Sequence, residues 1–413
     1  MNFHPRHGTA AIEPSVPVPI GLPALAKLAF DGCDLAPVWN QLVHRVTADP
    51  LDAAAYMDLS TIAHLQGRPE DRIALQSEAL RLQRIYRQPS AIDGPHSLRL
   101  LAFMAPGDFM ANIPIEFLLE GSSVRLDMVY VLPGAGLPEL PDHDLAFVAM
   151  AETDPNQILL RGLEDILRSW QRPVVNAPAK IARLTRDGTW ELLKSAPGLT
   201  VPRNARIDRP SLARIGGGDA AIEEFLPDSS FPVIARPLDS HAGNGLAKLD
   251  DRAAIASYLQ QRPEAEFYIA PFIDYRGSDG FFRKYRVVLI GGRPYASHMA
   301  ISSEWMIHYL NAGMMESAWK RDEEARFMAD FDRDFSVRHA VALTAIADRF
   351  GLEYIPFDCG ETRDGKLLFF ESGTNMIVHS MDSPDLFPYK KPQMEKLFSA
   401  FRNMLKDAGA RGR

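Results

Sequence analysis

One stretch of this chain, residues 231–376, strings together four groups of residues whose order limits what the chain can fold into. It opens with a strand-like run ending on a cation, Phe231-Pro-Val-Ile-Ala-Arg236-Pro, followed by the small-residue turn Ser240-His241-Ala-Gly243-Asn244-Gly245. Next comes Lys284-Tyr-Arg286, leading into Val-Val-Leu-Ile and the turn Gly-Gly-Arg-Pro. Last is Ile355-Pro-Phe-Asp358, with Glu371 thirteen residues on in Phe369-Phe-Glu371-Ser-Gly-Thr-Asn375. The two apolar runs around Asp358 and Glu371 flank the tight turn Arg363-Asp-Gly-Lys366, so hairpin pairing brings both carboxylates to one point.

Each group has a chemical use. Glycine lacks a Cβ and tolerates positive φ, so the 240–245 turn lets backbone N–H groups approach phosphate oxygens. Lys284 and Arg286 stand two apart on a strand and therefore point the same way. Two carboxylate ligands, completed by waters and phosphate oxygens, suit Mg²⁺. Ser240-His241 has no nucleophile-elbow context, and neighbours on an extended chain point apart, which excludes Ser-His-Asp hydrolysis.

The chain's 413 residues predict two to four folding units. With 46% hydrophobic and 24% charged residues, a net charge of −8 and no long Lys/Arg run, composition supports a folded core and gives no support to nucleic-acid binding. Two cysteines without ligand spacing, Cys33 and Cys359, fit a reducing compartment. No apolar run reaches membrane-spanning or signal-peptide length, so the expected location is the cytoplasm, without a membrane partner.

Along the chain, prolines at 14, 17, 19 and 23 predict a flexible arm over residues 1–23. Residues 24–92 read as helices: a segment at 36–48, Ala53–Leu65, a Gly67-Arg-Pro69 turn, and a second helix through Leu82. This unit resembles a tetratricopeptide repeat, which either packs on the body or offers a surface to a protein partner. From Ser97 to about 175, strands at Leu98–Met104, 124–132 and 145–150 alternate with a helix start at 113–119 and a helix around 157–170, as in a small Rossmann-like domain. Its strand-end turn carries Asp108 and Asn112, which are substrate-side candidates.

The ordered pattern of residues 176–390 resembles the ATP-grasp family, whose nucleotide-binding domains follow a Rossmann-like one. The resemblance implies an α/β ATP-grasp domain over 176–413 with a small lid subdomain at about 200–275. It implies ATP and Mg²⁺ as cofactors, with Mn²⁺ as a substitute, and ADP-forming ligation of a small carboxylate to an amine. By position, Arg186, Arg236, Ser240, His241, Gly243, Asn244 and Gly245 would hold phosphates, with arginine at two places where the family more often has lysine. The strand 267–273 would hold adenine through its backbone, with Phe272 and Ile273 at its end and Asp274 or Asp279 at the ribose. Arg286 and Lys284 would act on the transferred phosphoryl group, and Asp358 and Glu371 would hold the metal. The family's metal-site Asn falls here on Gly373, leaving Asn375 as a displaced ligand. Substrate-side candidates are His298, Trp305, His308, His379 and Ser380. The departures leave two alternatives open: an inactive nucleotide-binding adaptor, and a kinase without ligation. A homodimer is the default assembly.

Overall fold

The computed structural model describes residues 18–89, 97–238, 240 and 243–411. Among the described residues, fourteen strands form three sheets, two mixed and one antiparallel. The first sheet has the order β1-β3-β2-β4-β5, from Ile85–Arg87 (β1), Arg99–Met104 (β2), Arg125–Tyr130 (β3), Leu145–Val148 (β4) and Val174–Val175 (β5). Apart from the antiparallel edge strand β1, its neighbours run parallel. The near-continuous apolar runs of β2 and β4 match a sheet covered on both faces. Strand order reverses between β2 and β4, so the crevice at their carboxyl ends lies between the loops 105–112 and 149–156. A bridge between Asn112 and Met150 closes its floor.

The chain then makes β6 (Leu199–Thr200) and a small antiparallel sheet, β7-β10-β8-β9, from Ala205–Asp208 (β7), Val233–Pro237 (β8), Ala247–Leu249 (β9) and Glu266–Pro271 (β10). This sheet has its own apolar core around Leu212, Ile215, Val233, Ile255 and Phe267. The third sheet, β12-β11-β13-β14-β6, uses Phe282–Ile290 (β11), Arg293–Ser302 (β12), Tyr354–Glu361 (β13) and Leu367–Ser372 (β14). Gly291 and Gly292, both at positive φ, form the two-residue β11–β12 turn that right-twisted hairpins require. The β13–β14 hairpin predicted from the sequence is present and places Asp358 directly opposite Glu371.

Among the described residues, four helices precede the first sheet. The first begins at Leu22, inside the stretch read as an arm, because Pro23 falls in the opening turn, where a missing N–H costs nothing. Pro14 and Pro17 lie outside the described residues. Asp52 caps the helix Ala53–Leu65 by accepting from Ala55 N at 2.9 Å. That helix and its neighbour Pro69–Leu82 join the main core through Ala53, Met57, Ala79 and Leu80. The helix start expected at 113–119 is a single turn, Ile115–Leu118, following Pro114.

That turn buries Glu116, which is 7% exposed and whose Oε2 has no hydrogen-bond partner among the described residues. Burial raises its carboxyl to about 7 from an ordinary 4.5. Folding therefore favours the protonated form, and this stability is fully present below the unfolded value and lost as pH rises through about 7. Glu116→Gln should remove this loss, raising the unfolding midpoint at pH 8 by an amount equivalent to up to roughly 3 kcal/mol with little change below pH 5. Asp58 and Glu152, also raised by burial, keep their own share of the slope in the variant. Thermal melts at both pH values check the difference.

Candidate active site

Strand register assembles the site. Arg286 on β11 stands opposite His298 on β12 and Asp358 on β13, and Asp358 stands opposite Glu371 on β14. Directly opposed residues share a face, so four side chains form one row across the sheet. Arg286 grips Asp358 with both arms of its fork, Nε to Oδ1 at 2.7 Å and Nη2 to Oδ2 at 3.0 Å, and donates from Nη1 to the Ile377 carbonyl. Lys284, on the same face as the period-2 argument required, reaches Asp358 Oδ2 at 3.0 Å. Burial alone would raise the Asp358 carboxyl, but Arg286 and Lys284 outweigh it and hold it well below the ordinary carboxylate range.

Two further cations arrive from outside this sheet. Thr185 caps the helix Arg186–Leu193, accepting from Gly188 N at 3.3 Å, and the first residue of that helix donates to Glu371. Arg236, near the end of β8 in the small sheet, approaches Glu371 Oε2 at 3.4 Å. Burial acts to raise Glu371, and the two arginines overcome it, holding the carboxyl down at about 2. Burial lowers Arg236 to about 10, assisted by Arg186 and opposed by Glu371. Arg186, Arg236, Lys284 and Arg286 thus face the two carboxylates Asp358 and Glu371, leaving a surplus of positive charge in the cleft between the small and large sheets.

Ser240 and Gly245 lie against the end of β8 beside the cleft. Arg236 donates from Nε to Ser240 Oγ at 3.1 Å and from Nη2 to the Ser240 carbonyl. Gly243 and Gly245 adopt φ of 75° and 68°, and Asn244 is exposed between them. His241 lies outside the described residues. A Cβ on Gly245 would stand 2.6 Å from Pro237 Cδ, so side chains are excluded there by contact as well as by φ. Gly245→Ala should cost about 1–2 kcal/mol and displace the turn. If the turn holds phosphate, its nucleotide affinity should drop about tenfold, which calorimetric titration would measure.

Phe272 lies under the Lys248 ammonium, 4.8 Å from ring centroid to Nζ, and meets Trp305 edge-on at 5.6 Å. Its own amide donates to the Pro232 carbonyl. Ile273 packs against the small cluster of Tyr275 and Phe282. Asp274 pairs with Arg363 at 3.1 Å, and Asp279 with Arg283 at 2.6 Å. His298 packs its ring on Tyr309 at 4.6 Å and leaves Nδ1 without a partner among the described residues. Burial, reinforced by Arg286, holds it well below the ordinary histidine range. His308 is lowered too, by burial and then by Lys284 and Arg286.

Three candidates come from the 372–380 segment, whose Ile377 carbonyl accepts from Arg286. Asn375 donates to the Met110 carbonyl at 2.8 Å, tying this segment to the loop 105–112. His379 packs against Phe30 and Phe117, at ring distances of 5.7 and 6.2 Å. Ser380 is exposed. Asp108 is exposed and accepts from Met110 N, while Asn112 makes reciprocal bonds with the Ala105 backbone at 2.7 and 2.8 Å.

Sequence reasoning missed Glu152. It follows β4 at the carboxyl edge of the first sheet and accepts from Thr374 Oγ1 at 3.2 Å and Thr374 N at 3.4 Å. Burial raises it to about 7, partly offset by the Thr374 bonds. A carboxylate just past a strand of a parallel sheet, at the β2–β4 crevice, was the available signal. Cys359 is buried behind Asp358 and its thiol is pushed well up by burial, whereas Cys33 is exposed.

Asp358 and Glu371 fit a magnesium ion shared with phosphate oxygens, being opposed oxygen donors on one sheet face. Among the described residues no group of three or more His, Cys, Asp or Glu side chains could hold a metal unaided. No described helix is long and apolar enough to cross a membrane.

No model of a known protein family matches the chain. Solved structures to which it is similar include the VanG D-Ala:D-Ser ligase of Enterococcus faecalis, with 14% identity over 75% of this chain and 100% of that one, and a TM-score of 0.44. A RimK domain ATP-grasp protein of Sphaerobacter thermophilus gives 18% identity over 74% and 99%, with a TM-score of 0.41. The D-alanine-D-alanine ligase of Coxiella burnetii gives 12% identity over 66% and 70%, with a TM-score of 0.40.

Proposed function

We propose that this protein is an ATP-grasp enzyme, an ATP- and Mg²⁺-dependent ligase that activates a small carboxylate as an acylphosphate and joins it to an amine, releasing ADP. The observation carrying this reading is the convergence of Arg186, Arg236, Lys284 and Arg286 on Asp358 and Glu371, from three separate elements, at the mouth of a glycine turn. Such a site offers fixed positive charge for a triphosphate and two oxygen donors for the metal that accompanies it. Asp358 and Glu371 would hold Mg²⁺, which neutralises phosphate charge when bound. Arg236 and the 240–245 turn would hold the phosphates, and Phe272 with Trp305 would border the base. Arg286 and Lys284 would steady the transferred phosphoryl group. The β2–β4 crevice, with Glu152 on its rim, would receive the carboxylate and amine, and His298, held neutral, would contact the substrate. The site would work in the cytoplasm.

A specific observation favours a second reading: Asn375 is turned to Met110, and both carboxylates are already held by cations, as in a nucleotide-binding body without turnover. One assay separates the readings. ADP and coupled product are followed with Mg-ATP and a panel of amino acids and dipeptides. ADP formed only when carboxylate and amine are both present supports the ligase; phosphorylated product without coupling supports a kinase. Tight nucleotide binding with no ADP across the panel supports the inactive adaptor.

A further inference from the structure

The small antiparallel sheet is self-contained in its packing: its apolar core, from Ala205 to Ile269, takes no residue from the rest of the chain. Strand register sets three polar residues in one row across it, since Arg206 on β7 and Arg236 on β8 both stand opposite Tyr268 on β10. Directly opposed residues share a face, and the reach of Arg236 to Glu371 makes it the face turned to the cleft.

Each member of the row reaches a different part of the chain. Arg236 meets Glu371 on the large sheet. The Tyr268 hydroxyl donates to Asp187 Oδ1 at 3.1 Å, on the helix that opens with Arg186. Arg206 grips Asp154 with both arms, Nη2 to Oδ1 at 3.0 Å and Nη1 to Oδ2 at 3.2 Å, and donates from Nε to the Tyr268 hydroxyl at 3.0 Å. Asp154 lies two residues past Glu152, on the loop that borders the β2–β4 crevice. The Arg206 and Asp154 side chains are each 36% exposed. A lone pair so exposed contributes little, whereas a bidentate arginine joined to further groups is the arrangement in which surface charges count.

We propose that Arg206 is a positioning residue: through Asp154 and Tyr268 it latches the small sheet to the first sheet's loop and so holds Arg236, two strands away in the same row, over the phosphate position. The part that concerns phosphate rests on reading the cleft as a nucleotide site. A phosphate arriving at Arg236 competes with Glu371 for that guanidinium, but Asp154 is bound at the other end of the row. The latch therefore persists over bound nucleotide and slows its release. Breaking it frees the whole row, because a sheet with its own core moves as one body. The latch also fixes the spacing between Arg186, next to Asp187, and Glu152, two residues before Asp154.

Two measurements on the full chain test this. The first needs no nucleotide: spin labels are placed on Glu223→Cys, exposed on the small body, and Arg168→Cys, 72% exposed on the first, with the exposed Cys33→Ser. The distance distribution between them should be narrow with the latch intact and should gain a second population with Arg206→Met or Asp154→Asn. The second follows dissociation of Mg²⁺-ATP carrying a methylanthraniloyl fluorophore, which should be about fivefold faster in either variant. The double variant should match the singles in both readouts, since one contact is lost once. Unfolding midpoints should stay near wild type, which a merely structural role would not combine with faster release. The latch is overturned if both variants keep the wild-type distance distribution, if release is unchanged, or if the two effects add. Failure of the labelled ATP to bind wild type would instead remove the nucleotide reading, and the distance measurement would still decide the latch.

Discussion

Asp358→Asn should be the most destabilising single change in the row of Arg286, Asp358 and Glu371, costing about 3–5 kcal/mol, the usual loss when one partner of a buried ion pair is removed. Asp358 is 1% exposed and neutralises two cations, Arg286 and Lys284, whose side chains are themselves only 17% and 14% exposed. An asparagine of the same shape can accept one hydrogen bond, but it turns N–H donors toward a guanidinium and leaves two buried charges without a counterion. Both urea and thermal unfolding midpoints should fall at pH 7, where the wild-type carboxylate is fully ionised. Adding Lys284→Met in the same chain should recover part of the loss, because it removes one of the orphaned cations; the two changes should be non-additive. A midpoint within error of wild type would mean that water, not Asp358, satisfies Arg286 and Lys284.

The same residues show how far the sequence could be read. The Asp358–Glu371 hairpin was legible because a tight turn between two apolar runs fixes register locally, and Lys284 and Arg286 were legible because a strand has period 2. Arg186 and Arg236 were placed by resemblance, and their convergence on Glu371 depends on contacts spanning 185 and 135 residues. Glu152 went unread for a related reason: its partner Thr374 is 222 residues away, and its place just past a strand of the parallel sheet was the one local sign of it. The turn of Asn375 toward Met110 depends on how the first sheet docks, which spacing alone does not encode. Pro23 misled because proline breaks a helix interior but opens its first turn.

Glu371→Gln should separate metal binding from phosphate binding. In the wild type Glu371 absorbs the charge of Arg186 and Arg236, so removing it leaves four cations facing one carboxylate. Free ATP, measured in chelator, should then bind at least as tightly as to wild type, since the site has gained net positive charge. Added Mg²⁺ should strengthen ATP binding in the wild type and do little in the variant, where one of the two oxygen donors has become a neutral amide. Turnover should fall about 10²–10³-fold, the size of effect seen when one preorganised electrostatic group is lost from a phosphoryl- or acyl-transfer site. The stability cost should stay below that of Asp358→Asn, because Glu371 sits a third exposed in the cleft and its arginines can reach water. Equal Mg²⁺ dependence in wild type and variant would remove Glu371 from the metal site, while weaker binding of free ATP would show that the two arginines need Glu371 to hold them in place.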